Sequence, residues 1–299
     1  MSVASAPKEI EPASAIAPPG SFSLTSLWAL YALTLRQHRH GKRWMVMAVL
    51  MLLPAALVIL VRSTAHNVPS ISLEFIFAFM LIPQALLPLV ALIYGSGIIQ
   101  DEVEEQTITY LLIRPISKWQ LYIVKLLATL TVAVFLTVIF TTLTYIAVYA
   151  GATDHVENVP LRCLEASSIH ALAVIAYCCI FGLISLFTRR TLVVGILYIV
   201  IFEGLFANLA FGIRLITVIY YARIIAYRTL PFVISTPDGR ENFAADAWQL
   251  DIRTDPNLLE HPQIRACLIV LLVGSAVCAA LTAMLCARRE FHVKTPEKA

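Results

Sequence analysis

Few residues in this chain have chemistry to offer, and most of them lie close together. Asp101, Glu102, Glu104 and Glu105 crowd one short stretch, followed by Thr107, the apolar run Ile108–Ile113 and Arg114-Pro115. Acids placed before apolar residues suit the positive N-terminal end of a short helix. Pro115 cannot continue that helix and restricts Arg114 as well. Ser117 then restarts it. With Gln120 three residues on, Ser117 forms a capping box, and Ile116 with Leu121 supplies the hydrophobic staple. The chemistry on offer is recognition. Leu111, Leu112 and Ile113 form an apolar patch beside clustered charge, and such a patch calls for a partner. The plainer alternative is an acidic, solvated loop with ordinary caps.

Other candidates are isolated. Glu203 is the one acid in the middle of an apolar stretch. A charge there must face protein or water, or sit where a helix breaks. It either lines a pathway or is satisfied by freed backbone amides or by Arg214. Thr137, Thr141 and Thr144 share one helix face; they line a cleft at a dimer axis or bond back to their own helix. His38 and His40 lie in the basic cluster RQHRHGKR, which reads as juxtamembrane charge rather than a metal site. The six Cys form no CxxC pair and read as small apolar filler. Gly41-Lys42 resembles the end of a P-loop, but Arg36 replaces the first Gly and Arg43 the Ser/Thr. There is no HExxH and no GxSxG. The expectation is therefore no catalytic residue, no metal ligand and no cofactor.

The elements that position these residues follow from composition. Apolar types make up 59% of the 299 residues, charged types 14%, and the mean hydropathy is +0.81. A soluble domain carries about a quarter charged residues. A soluble globular protein and a disordered chain are excluded. The net charge of +3 is too small for a nucleic-acid binder. The charge-free runs Trp44–Val61, Phe75–Ile99, Leu126–Thr153, Ala166–Thr188 and Ala266–Ala287 each approach or exceed the length that crosses a bilayer. A sixth, Thr191–Ile213, is interrupted by Glu203, which predicts a broken fifth span. Continuous apolar runs, without period-2 alternation, exclude a barrel. The fold class is all-α and membrane-integral, with six transmembrane helices.

With the N-terminus in the cytoplasm, 14 of the Lys and Arg residues fall inside and 8 outside, and all six Lys are inside. Both termini are therefore cytoplasmic. Residues 1–20, rich in Ala, Pro and Ser, read as a disordered tail. Residues 21–43 form an amphipathic helix in the inner interface, with Leu24, Leu27, Trp28, Tyr31 and Leu35 at helical spacing. The transmembrane domain covers 44–290, and a C-terminal tail covers 291–299. The outer segment 213–265 begins with an interfacial or outer helix. It continues as a polar loop with turn signals at Pro237-Asp238-Gly239 and Asp255-Pro256.

The stretch GSGIIQDEVEEQTITYLLIRPISKWQLYIVKLLA resembles the cytoplasmic loop of ABC-2-type transporter permeases. The matching residues are Glu102, Glu105, Thr107, Leu111, Leu112, Arg114, Pro115, Ser117, Lys118 and Lys125. Gln106 departs from the family's usual Gly and is the better helix former. GLISLFTRRTLVVGI and FEGLFANLAFGIRLI resemble the family's second inner turn and its interrupted fifth span. The resemblance covers about Leu24–Arg289, and within the family it points to the nitrous-oxide-reductase-maturation and gliding-type permeases. It implies an ABC exporter in the cell (inner) membrane of a prokaryote, with two permease copies, a homodimer, working on separate ATPase subunits that bind ATP and Mg. It also implies that residues 100–114, with Asp101 and Glu104 among them, form a coupling helix docked on the ATPase. Arg189-Arg190 then mark a second contact, or else a positive-inside anchor. A scaffold or force-transducing role on the same fold is the alternative. Sparse charge on the spans favours a hydrophobic or amphipathic cargo.

Overall fold

The computed structural model describes residues 24–40, 42–65, 68–104, 117–152, 154, 156–188, 190–209, 212–236, 239–242, 244, 247–248 and 262–288. Among these, nine α-helices follow in order: α1 (Leu24–His40), α2 (Lys42–Thr64), α3 (Ser70–Leu73), α4 (Leu87–Glu104), α5 (Lys118–Tyr149), α6 (Val159–Phe187), α7 (Thr191–Tyr198), α8 (Val218–Thr229) and α9 (Ile264–Arg288). A π-helical stretch, Glu74–Leu86, contains Pro83 and joins α3 to α4. Another, Ile199–Leu205, continues α7. Six segments are long and apolar enough to cross a membrane: Arg43–Thr64, Ser70–Asp101, Lys118–Tyr149, Val159–Phe187, Thr191–Asn208 and Ile264–Arg288. The all-α membrane architecture is therefore as expected. One short hairpin is added where a polar loop is expected, with β1 (Val233–Thr236) antiparallel to β2 (Gly239–Asn242). Gly239 of the Pro237-Asp238-Gly239 signal opens β2, and Pro237 and Asp238 lie outside the described residues.

The helices run past the charge-free stretches because charged side chains near their ends find partners. At the end that a cytoplasmic N-terminus would make the outer one, Glu74 is fully buried and accepts from Arg162 Nη2 at Oε2 (2.9 Å) and from Tyr145 Oη at Oε1 (2.6 Å), with Tyr149 Oη also donating to Oε2. Arg162 Nη1 also donates to the Pro231 carbonyl at 3.3 Å. Beside this cluster, Asp154 accepts from Ser70 N and Oγ at 2.7 and 2.6 Å. At the inner end Arg43 grips Asp101 through both Nη atoms, and Thr191 Oγ1 donates to Gln100 Oε1 at 2.8 Å. From Glu74 to Asp101 the helix rise amounts to about 40 Å, a bilayer with its headgroups.

Spans two and four form the enclosed centre, with α4 packed along α6. Small residues set that approach: a Cβ on Gly95 would lie 3.0 Å from Phe181 Cβ and 3.2 Å from the Cys178 carbonyl. Close backbone approach is how helices associate where lipid supplies no hydrophobic drive.

The fifth span does not cross alone. It starts at the inner layer with Thr191 and reaches Glu203 about 18 Å further on. Tyr177, which donates to Glu203 Oε2 at 2.8 Å, lies about 22 Å of helix inward from Arg162. Glu203 therefore sits near mid-membrane, and α8 begins there. From that point α8 runs outward, ending just before Pro231 at the outer layer. The expected interfacial or outer helix is thus a correction: Val218 to Ala226 are all buried. Its apolar and aromatic side chains surround the buried part of the helix, and Arg223, one of the spaced arginines that suggested a wet face, reaches Asn208 and Gln84, while Arg228 near the C-terminal end stays exposed.

α1 packs against α5: Tyr31 bonds Thr131 Oγ1 at 3.0 Å and His38 bonds Thr129 Oγ1 at 3.2 Å. Leu24 and Trp28 remain 80% and 70% exposed. Burial pushes the His38 imidazole down to about 4; Lys125 and Arg43 repel its proton and Asp101 opposes them.

Arg162→Met, which leaves Glu74 buried and charged without its cation, should destabilise the fold by about 3–5 kcal/mol in micelle unfolding, and adding Glu74→Met should recover most of the loss. Because the docked His38 stays neutral down to about 4 while a freed imidazole protonates near 6.5, α1 docking should be full above pH 6.5 and weaken as pH falls toward 4. Hydrogen exchange along α1 should show this dependence, and His38→Gln should flatten it.

Candidate functional site

The loop that carries the recognition residues is anchored at both ends. On its near side α4 continues through Glu104. Asp101, Glu102 and Glu104 therefore occupy the last turn of the second span, not the first turn of a separate helix as the sequence predicts. Carboxylates oppose the dipole at a helix C-terminus, and the Arg43 guanidinium offsets this at Asp101. Gly97 makes that pair possible, since a Cβ there would collide with both Arg43 and the Asp101 carboxylate. On its far side the Ser117–Gln120 capping box is present, with Ser117 N–H donating to Gln120 Oε1 at 3.1 Å. Glu105, Thr107, Leu111, Leu112, Arg114, Pro115 and Arg189 lie outside the described residues, as do the side chains of Glu102 and Glu104 and the tails 1–20 and 291–299. Arg190 is exposed, and its N–H donates to Thr188 Oγ1 at 3.1 Å just before α7.

Glu203 is fully buried and accepts four hydrogen bonds. Val218 N–H donates to Oε1 and Ile219 N–H to Oε2, each at 3.1 Å. Tyr177 Oη donates to Oε2 at 2.8 Å and Tyr198 Oη to Oε1 at 3.3 Å. The carboxylate thus caps the start of α8, where the orphan amides and the positive helix end call for an anion. Arg214, the alternative partner, instead lies over the Tyr220 ring at 5.1 Å.

The Thr137, Thr141 and Thr144 face is buried, with α6 packed along α5. Thr137 and Thr144 donate to the carbonyls of Ala133 and Phe140, while Thr141 Oγ1 lies 3.0 Å from His170 Nδ1. Among the described residues no group of three or more His, Cys, Asp or Glu gathers to hold a metal ion.

The structure also brings in residues that sequence reasoning passes over: Arg43 for Asp101, Gln100 for Thr191, Tyr177 and Tyr198 for Glu203, and the whole Glu74–Arg162 cluster. A signal exists for some of them. A tyrosine hydroxyl inside an apolar span needs an acceptor, and Tyr145 and Tyr149 at i, i+4 present two on one face.

Residues 23–223 match the model of a family described as ABC-2 family transporter protein. No curated protein matches the chain.

Glu203→Leu should strand the Val218 and Ile219 amides at about 1–3 kcal/mol each and expose the first turn of α8 to rapid hydrogen exchange. Glu203→Gln, which keeps one acceptor oxygen, should show a smaller loss of both stability and protection.

Proposed function

Because the chain belongs to the ABC-2 transporter family and is the membrane permease component of an ABC transporter, we propose that it is the membrane half of an exporter driven from loop 100–120. In this reading a separate ATPase subunit binds ATP and Mg and docks on Asp101–Pro115, with Arg189-Arg190 as a smaller second contact. Two permease copies form a homodimer in the inner membrane of a prokaryote, with both termini cytoplasmic. The nitrous-oxide-reductase-maturation and gliding-type branch is the subfamily proposed.

The observation that carries this reading is the double anchoring of the loop. Arg43 ties Asp101 to α2, Thr191 ties Gln100 to α7, and the Ser117–Gln120 box fixes the start of α5. A displacement of the loop therefore reaches α2, α4, α5 and α7 together. An apolar ridge (Leu111, Leu112, Ile113) gives such a loop something to bury in a partner's groove, and its acids set the orientation of docking. The α7 link matters most, because α7 leads directly to Glu203 and the start of α8. Motion delivered at the cytoplasmic face then reaches mid-membrane along one continuous helical segment.

Co-expression with the cognate ATPase tests the assignment. Leu111→Asp and Glu105→Lys should each reduce co-purification or permease-coupled ATP hydrolysis at least about tenfold, as expected for loss of a central contact, while the permease still elutes as a folded protein. Intact assembly together with full coupling in both variants would overturn it.

A further inference from the structure

Arg223 is placed where a membrane protein rarely leaves a cation. It lies on α8, 5% exposed, at the depth of Gln84 on the second span. Gln84 is ten residues from Glu74 and seventeen from Asp101, about 15 Å below the outer ionic layer and about 25 Å from the inner one. The Arg223 contacts are neutral: Nη1 donates to Asn208 Oδ1 at 3.0 Å and Nη2 to Gln84 Oε1 at 3.2 Å. Its Nε–H has no hydrogen-bond partner. The salt bridges among the described residues are Arg43–Asp101 and Arg162–Glu74. Glu203 attracts Arg223 only through space, its own oxygens being occupied by Tyr177, Tyr198 and the α8 amides. Between Thr191 and Thr229 the sequence sets Glu203 alone against Arg214, Arg223 and Arg228.

The two amides lie outside the guanidinium. Gln84 is half-buried and Asn208 is exposed. Polar side chains on a lipid-facing surface at this depth are costly, so this face is turned to something polar. Exposed side chains close to these residues in sequence are apolar, Leu205 three residues before Asn208 at 56% and Ile216 seven before Arg223 at 66%. A guanidinium fork matches a carboxylate or a phosphate. Asn208 Nδ2 already donates one hydrogen to the Gly204 carbonyl at 2.6 Å, so when an anion takes over Nη1 and Nη2, the second Asn208 amide hydrogen and the rotated Gln84 NH2 are what remain to meet it.

We propose that Arg223, Gln84 and Asn208 recognise the anionic headgroup of an amphipathic cargo, a carboxylate or phosphate carried on an apolar tail that lies along Leu205 and Ile216. This rests on the permease reading and names the chemical class of its cargo.

The purified full chain in neutral detergent is titrated with a dansyl-labelled fatty acid and with its methyl ester, which keeps the tail and removes the charge. Wild-type protein should bind the acid about tenfold or more tightly than the ester, the size expected for charge-assisted hydrogen bonds. Arg223→Gln should lose that preference, and Gln84→Leu and Asn208→Leu should each reduce it several-fold. Equal binding of acid and ester by wild-type protein, or an unchanged ratio in a folded Arg223→Gln, would overturn the proposal. If Arg223→Gln does not fold, the two rim variants decide, and an unchanged ratio in both overturns it. Displacement of the acid by millimolar inorganic phosphate would mark a path for free anions and overturn the amphiphile assignment; retention of the acid supports it. Co-purification of the same preparations with the ATPase reads the permease assignment separately, so the two can fail independently.

Discussion

A helix that starts inside a membrane has amide N–H groups with no water to bond them. α8 is such a helix, and the Glu203 carboxylate is what lets it begin where it does. One oxygen takes the Val218 amide, the other takes the Ile219 amide, and the negative charge answers the positive end of the helix. Four donors around one carboxylate make the burial of that charge tolerable. Without the cap, α8 would have to start at a water interface, and the fifth span would lose the element that completes its outer half.

The other end of α8 is held by the opposite device. There Arg162 donates to the Pro231 carbonyl while its guanidinium pairs with Glu74. Its guanidinium also lies 5.8 Å from the Phe232 ring, which meets Phe75 and Phe79 at 5.3 and 5.1 Å. The outer segment is thereby pinned over the second span, with Trp248 packed against Phe75 at 4.9 Å. α8 is thus a strut between two buried carboxylates, one near mid-membrane and one at the outer layer. The inner end of the fifth span is tied to the second by Thr191 and Gln100. The broken span therefore has three fixed points and few loose ones.

Much of this is legible in the residues. Long apolar runs mark the spans, because no other composition is soluble in lipid. The Ser117–Gln120 box is a local pattern and forms as written. Glu203 stands out because a lone acid in an apolar run must have a reason. What stays hidden is whatever depends on distant pairing. Glu74 and Arg162 read as interruptions of their spans, and only three-dimensional partners draw them inside the helices. Asp101 reads as a helix N-terminal acid because nothing local shows that α4 will run on and that Arg43 will meet it. α8 reads as interfacial for the same reason: spaced arginines look like a wet face until Asn208 and Gln84 are seen to receive Arg223.

The capping of α8 by Glu203 sets a problem of timing. The chain is made from its N-terminus, so the fifth span enters the bilayer before Val218 and Ile219 exist to bond its acid. Of the four donors, only Tyr177 on the fourth span is already in place, and Tyr198 arrives with Glu203 itself. Release of the fifth span into lipid at that moment would expose a carboxylate with half of its partners missing. Membrane insertion must therefore keep spans four and five together, as a pair, until α8 has been synthesised and folded back between them and the outer layer. The cap that stabilises the finished protein thus also dictates the order in which the nascent chain can leave the insertion machinery.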